Sequence, residues 1–158
     1  MIDDLYSAKI LTLAANMPRA GRLAAPDATA ERTAKLCGST IIVDVILDDA
    51  GHVADFAQDV RACALGQASA AVLGANVLGA DLAEIEQARD ALRDMLRTQG
   101  PAPTGRFADL AVLAPVKDYP ARHASTLLAF EAATDAVREA LSRSATQGPA
   151  RTSPAVAG

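Results

Sequence analysis

Cys37 and Cys63 are the residues of this 158-residue chain whose type offers the most chemistry. Cys37 precedes Gly38 and the β-branched run Thr40 to Leu47, and Cys63 follows a second strand-like run, His52 to Val60. If the two runs pair as a hairpin about the turn Asp48-Asp49-Ala50-Gly51, both thiols fall at the sheet end opposite the turn, which suits a shared metal. Cys63 also opens an Ala-rich stretch of helical character, where the peptide dipoles favour a thiolate. Two buried cysteines acting as small hydrophobes fit the same spacing, and a disulfide is a further alternative that a reducing compartment disfavours. Two thiolates leave a zinc or iron–sulfur ligand set incomplete. His123, at the start of the last helix, is the candidate additional donor, with a capping or surface role as the plainer alternative. His52 belongs to the hairpin turn at the far end. No Ser-His-Asp order, nucleotide-binding glycine loop or His-rich zinc motif is present.

The elements that must hold these residues can be read from periodicity. Leu5, Ile10, Leu11 and Leu13 predict a first helix over Asp4 to Ala15, capped by Asp3 or Asp4. Asn16 to Gly21 reads as a loop and Ala24 to Lys35 as a connection without sustained period. After the hairpin, Ala64 to Leu78 reads as a helix of small side chains able to lie close to a neighbour. Asp81 with Glu84 forms a capping box before an amphipathic helix to about Arg97. A loop at Gly100 to Gly105, a short helix within 107–116 and a long helix from Ala121 to Leu141 follow. These predict an α+β domain over 1–141, helices packed on a small antiparallel sheet, with a disordered tail over 142–158.

Composition narrows the function. Fifteen basic against nineteen acidic residues give a net charge of −4, and no basic stripe stands out, so nucleic acid is not an expected partner. Aromatic residues make up only 3%, too few for base-stacking platforms. Every apolar run is broken by Asp, Arg or Gly before it is long enough to span a bilayer, and the acidic start does not read as a secretory leader. A cytoplasmic location and no membrane partner are expected.

Four motifs, in order, resemble those of the U-type iron–sulfur cluster assembly scaffolds, the family of IscU, SufU and the amino-terminal domain of NifU. Asn16-Met17-Pro18-Arg19-Ala20-Gly21 is similar to the family's Asn-Pro-Arg-Asn-x-Gly, with one extra residue before Pro. Cys37-Gly38-Ser39 resembles its Cys-Gly-Asp, and Arg61-Ala62-Cys63-Ala64 its Gly-x-Gly-Cys before a small-residue helix. Pro120-Ala121-Arg122-His123-Ala124-Ser125 resembles its Pro-x-Arg/Lys-x-(His or Lys)-Cys. The resemblance runs from about Leu5 to about Val137, and the span Leu96 to Tyr119 resembles the SufU insertion, which places the chain nearest that branch.

This resemblance implies a scaffold or sulfur carrier more than a turnover enzyme, with a cysteine desulfurase and other cluster-assembly proteins as partners. It implies a site that transiently holds zinc, iron or a nascent iron–sulfur cluster. Carried over by position, Cys37 and Cys63 are kept as sulfur acceptors and metal ligands. Ser39 stands at the family's Asp position and Ser125 at that of its third Cys. His123 lies one residue before the family's His. A Ser hydroxyl is a poor ligand for soft zinc or iron, so metal binding is expected to be weak or absent. The alternative is a degenerate paralogue acting as a protein-interaction module without holding a cluster.

Overall fold

The β-branched run at Ile41, Val43 and Val45 is fully buried because it forms the middle of a three-stranded antiparallel sheet. In the computed structural model, which describes residues 7–36 and 38–147, the strands are β1 (Ala28–Ala34), β2 (Ser39–Leu47) and β3 (Val53–Arg61), in that spatial order. The helices are α1 (Ala8–Ala15), α2 (Ala64–Asn76), α3 (Leu82–Arg97) and α4 (His123–Gln147), with 3₁₀ turns over Gly105–Asp118 and Pro120–Arg122. The α+β architecture with helices on a small antiparallel sheet is as the sequence predicts.

α4 lies across β1 and β2, and α2 packs among α1, α4, β3 and the longer 3₁₀ stretch. That position explains the composition of α2. Leu65, Ala68, Ala70, Ala71, Val72 and Leu73 are all buried, so the helix is apolar nearly all round. The 3₁₀ stretch follows a different rule. Phe107, Leu110, Leu113 and Val116 recur every third residue and are all buried, which matches three residues per turn and lines up one apolar face. Phe107 meets Phe130 of α4 edge-to-face, with centroids 5.3 Å apart.

The structure corrects three of the sequence expectations. The segment Ala24 to Lys35, taken as a connection, contains β1. Its inward positions are mostly Ala, whose small side chains give little apolar contrast, and Arg32 at an inward position reaches Asp135 at 2.7 Å on α4. The first helix begins at Ala8, with the Ile10 N–H donating to the Ser7 hydroxyl as cap; the proposed caps Asp3 and Asp4 lie outside the described residues. α4 continues to Gln147, so residues 142–147, assigned to the tail, are helical; 148–158 lie outside the described residues.

The chain between α1 and β1 must pass from the β3 edge to the β1 edge, and it does so over the sheet face opposite the helices. At the β3 edge, the Gly21 N–H donates to the Gln58 carbonyl and the Gln58 N–H to the Arg19 carbonyl, each at 2.9 Å. Arg19 adopts φ 59°, and its guanidinium donates to the Phe56 carbonyl and Asp55. Above β2 the strap is fastened to Asp44, which is fully buried. Arg22 donates to it through Nε at 2.6 Å and Nη2 at 3.2 Å, a forked charge-assisted pair. The Leu23 N–H at 3.0 Å and the Thr29 hydroxyl complete the set.

Burial by itself would push the Asp44 carboxyl up, but the bonds from Arg22, Thr29 and the Leu23 N–H outweigh it and hold the group below the ordinary carboxylate range. A carboxyl lowered on folding contributes stability that is complete above the ordinary range and is lost as pH falls through the lowered value. Asp44→Ala is therefore expected to cost about 1–3 kcal/mol at neutral pH, since it removes the acceptor of four hydrogen bonds. Urea unfolding at neutral and strongly acidic pH checks this: the gap between the two proteins narrows on acidification.

Candidate functional site

Cys63 is the N-cap of α2, in extended backbone conformation, yet its side chain makes no capping bond. The sulfur lies instead 3.1 Å from the Ser125 hydroxyl oxygen, in the first turn of α4, 62 residues along the chain. Cys63 is half-buried and Ser125 fully buried, so the pair sits with its oxygen inside and its sulfur near the rim. The close meeting of the two helix starts depends on Gly66. A Cβ there would stand 2.8 Å from Ala62 Cβ, 3.1 Å from the Ser125 carbonyl oxygen and 3.3 Å from its hydroxyl oxygen.

The sheet brings its own residues to the same end. Thr40 pairs with Arg61 and Ser39 with Ala34, so the start of β2 adjoins the end of β3, two residues before Cys63. Ser39 is buried. The turn from β1 closes with the Gly38 N–H donating to the Ala34 carbonyl at 2.8 Å, at a φ of 74° that favours glycine. Cys37, between Leu36 and Gly38 in sequence, lies outside the described residues. His52 is at the opposite end, 3.9 Å from Asp48 and 4.0 Å from Asp81, between the hairpin turn and the cap of α3.

His123 opens α4, as the sequence predicts, but its ring turns to the 3₁₀ stretch. Nε2 lies 2.9 Å from the Val116 carbonyl in a buried contact. That nitrogen anchors the last turn of the stretch, and the expectation of His123 as a ligand gains no support from its placement. Among the described residues, no group of three His, Cys, Asp or Glu side chains is close enough to hold a metal ion.

The donors can be tested against a zinc ion or a cluster on chemistry alone. A closed structural zinc site takes four ligands, and clusters are held by thiolates. The described donors at this site are one thiol and two buried hydroxyls, and adding the Cys37 thiol would still leave a closed zinc or all-thiolate set incomplete. A cleft of about 290 Å³ between α3 and the start of the 3₁₀ stretch contains none of the candidate residues. Its Glu84 and Arg106 are already paired, at 3.1 Å.

Comparison with known proteins agrees with this geometry. The NifU-like N-terminal domain model matches residues 5–126, and the chain belongs to that family. A nitrogen-fixing NifU-like protein (N-terminal) from Brucella abortus is 54% identical, covering 89% of this chain and 97% of that one with a TM-score of 0.86. A protein of Fervidobacterium islandicum, described as a candidate iron–sulfur cluster assembly scaffold of the SUF system, shares the fold. Its TM-score is 0.77 at 19% identity, covering 85% of this chain and 98% of that one. No curated protein matches the chain. The resemblance to the U-type scaffolds thus holds for the family. The placement nearest SufU rests on the Leu96 to Tyr119 span alone, since the likeness to the SUF-system chain is one of fold.

Sequence reasoning did not find Asp44 or the path of the strap. The available signal was an acidic residue inside an otherwise apolar strand, which requires buried donors. His123→Ala is expected to lower stability by about 1–3 kcal/mol by stranding the Val116 carbonyl. Zinc retained after desalting, measured by metal analysis, is expected to match that of the unchanged protein.

Proposed function

We propose that this protein acts in iron–sulfur cluster assembly in the cytoplasm, as a scaffold-type sulfur carrier that accepts sulfur from a cysteine desulfurase at Cys63, with Cys37 as the second acceptor. The observation that carries the reading is the 3.1 Å contact between Cys63 and Ser125. It joins the two motif positions at which the U-type scaffolds, by the resemblance, place cysteines, and it supports carrying the family's site onto these residues one by one. Membership of the NifU-like family supports the process.

Sulfur acceptance is the step that the donor set favours. A persulfide transfer needs a nucleophilic thiolate and access to it, not a four-ligand cage. The Cys63 thiolate attacks the outer sulfur of the donor's persulfide. The donor's S–S bond breaks, its cysteine leaves as a thiolate, and Cys63 carries the outer sulfur with its hydrogen. No external oxidant or reductant enters. Iron or zinc is cargo held briefly and weakly by the two cysteines in this reading, because hydroxyls replace the anionic donors at Ser39 and Ser125.

Those two hydroxyls also favour a second reading, an interaction module that binds assembly proteins without taking sulfur. Incubation with a cysteine desulfurase and free cysteine, followed by intact-mass and peptide mass spectrometry, separates them. The expected result is the mass of one added sulfur on the peptide holding Cys63, removed by reductant and absent from that peptide in Cys63→Ala, where any remaining added sulfur is carried by Cys37. A stable complex with the desulfurase and no added sulfur on either cysteine would establish the interaction module instead.

A further inference from the structure

We propose that Ser125 is a positioning residue for sulfur transfer: its hydroxyl donates a hydrogen bond to the Cys63 sulfur and holds it in the attacking orientation. The inference rests on the reading of Cys63 as the sulfur acceptor, and deepens it by giving the residue at the family's third-cysteine position a role other than metal ligation.

Three observations carry it. The first is the behaviour of neighbouring hydroxyls on α4. Thr126 and Thr134 donate back to carbonyls four residues earlier, those of Arg122 and Phe130, each at 2.8 Å. That is the ordinary choice for a hydroxyl on a helix. Ser125 is fully buried, and among the described residues the partner of its hydroxyl is the Cys63 sulfur. The second is a constraint that chemistry places on the 3.1 Å contact, in which either atom could donate. A thiolate has no hydrogen to give, so in the reactive form the hydroxyl must be the donor. The third is the room kept for the contact. Gly66 spares the space from which a Cβ would press on the Ser125 hydroxyl at 3.3 Å, so α2 and α4 approach closely enough for the oxygen to reach the sulfur.

A hydrogen bond to a charged acceptor both stabilises it and fixes its rotamer, and the Cys63 side chain has no capping bond to do so. With Ser125 donating, the sulfur stays at the rim and points its free electron pairs outward. Without it, the thiolate turns among rotamers and meets the donor persulfide in the right orientation less often.

The test uses the full chain with two sulfur-reactive probes. In the first arm, the rate of sulfur loading from a cysteine desulfurase is followed by mass spectrometry over a range of desulfurase concentrations. Ser125→Ala is expected to slow the maximal rate about tenfold. The half-saturating desulfurase concentration is expected not to change. Ser125→Thr, which keeps a hydroxyl, is expected to recover most of the loss. In the second arm, Cys63 is alkylated with iodoacetamide, in a Cys37→Ala background, with no partner protein present; Ser125→Ala is expected to slow it by a comparable factor. Melting curves establish that each variant is folded, and if Ser125→Thr is not, the alkylation rate of Ser125→Ala decides. Unchanged rates in both arms would overturn the positioning role while leaving sulfur acceptance intact. Failure of the unaltered protein to load sulfur would instead overturn the functional reading, and alkylation would still decide the role of Ser125.

Discussion

The contact between the first turns of α2 and α4 is the constraint on which the site depends. Cys63 and Ser125 are far apart in sequence, and neither has a side-chain partner on its own element. They meet because a helix of small residues lets α4 come close and because Gly66 omits the carbon that would hold the two turns apart. A larger side chain at that position forces the buried hydroxyl or the backbone of α4 to move. The placement of the thiol beside the hydroxyl is therefore set by packing, and packing here is set by the absence of a side chain at Gly66.

The remaining elements keep those two turns in place. The sheet delivers Cys63 at the end of β3, in register with the start of β2 at Ser39 and Thr40. The strap from Asn16 to Asp27 closes the opposite face, and the buried carboxylate of Asp44 fastens it by accepting three bonds from it and a fourth from Thr29 of β1. Gln58 links strap, sheet and α2. Its Nε2 donates to the Pro18 carbonyl at 3.2 Å and to the Ala70 carbonyl at 2.9 Å. His123 pins the 3₁₀ stretch to the start of α4, two residues before Ser125. Each is a buried polar group whose partners come from different elements, so each fixes relative placement as well as contributing stability.

How much of this was legible in the sequence depends on the physical signal each element leaves. The hairpin, the α3 capping box and the Ala-rich α2 announce themselves through β-branching, Asp81 with Glu84, and composition. β1 does not, because alanines on its inner face leave no apolar alternation and the inward Arg32 finds its acidic partners, Asp135 and Glu131, on a distant helix. The 3₁₀ stretch carried a clear pattern, Phe107, Leu110, Leu113 and Val116, but a three-residue period passes for a fragment of α-helix unless it is sought. At the site, the motifs singled out Cys63 and Ser125, whose side chains lie 3.1 Å apart. They could not show that the His123 ring faces the Val116 carbonyl, since a helix start offers a histidine several directions and only the packed neighbour selects one.

Among the described residues, the site is a rim thiol backed by a buried hydroxyl in a chain of the NifU-like family. The central claim is that these two side chains converge. It is tested most directly by disulfide trapping: Ser125→Cys in a Cys37→Ala background, mildly oxidised, then alkylated under denaturing conditions and analysed by mass spectrometry. Convergence predicts a disulfide joining Cys63 to the introduced thiol in most of the folded protein. Two thiols that both remain open to alkylation after oxidation would contradict it.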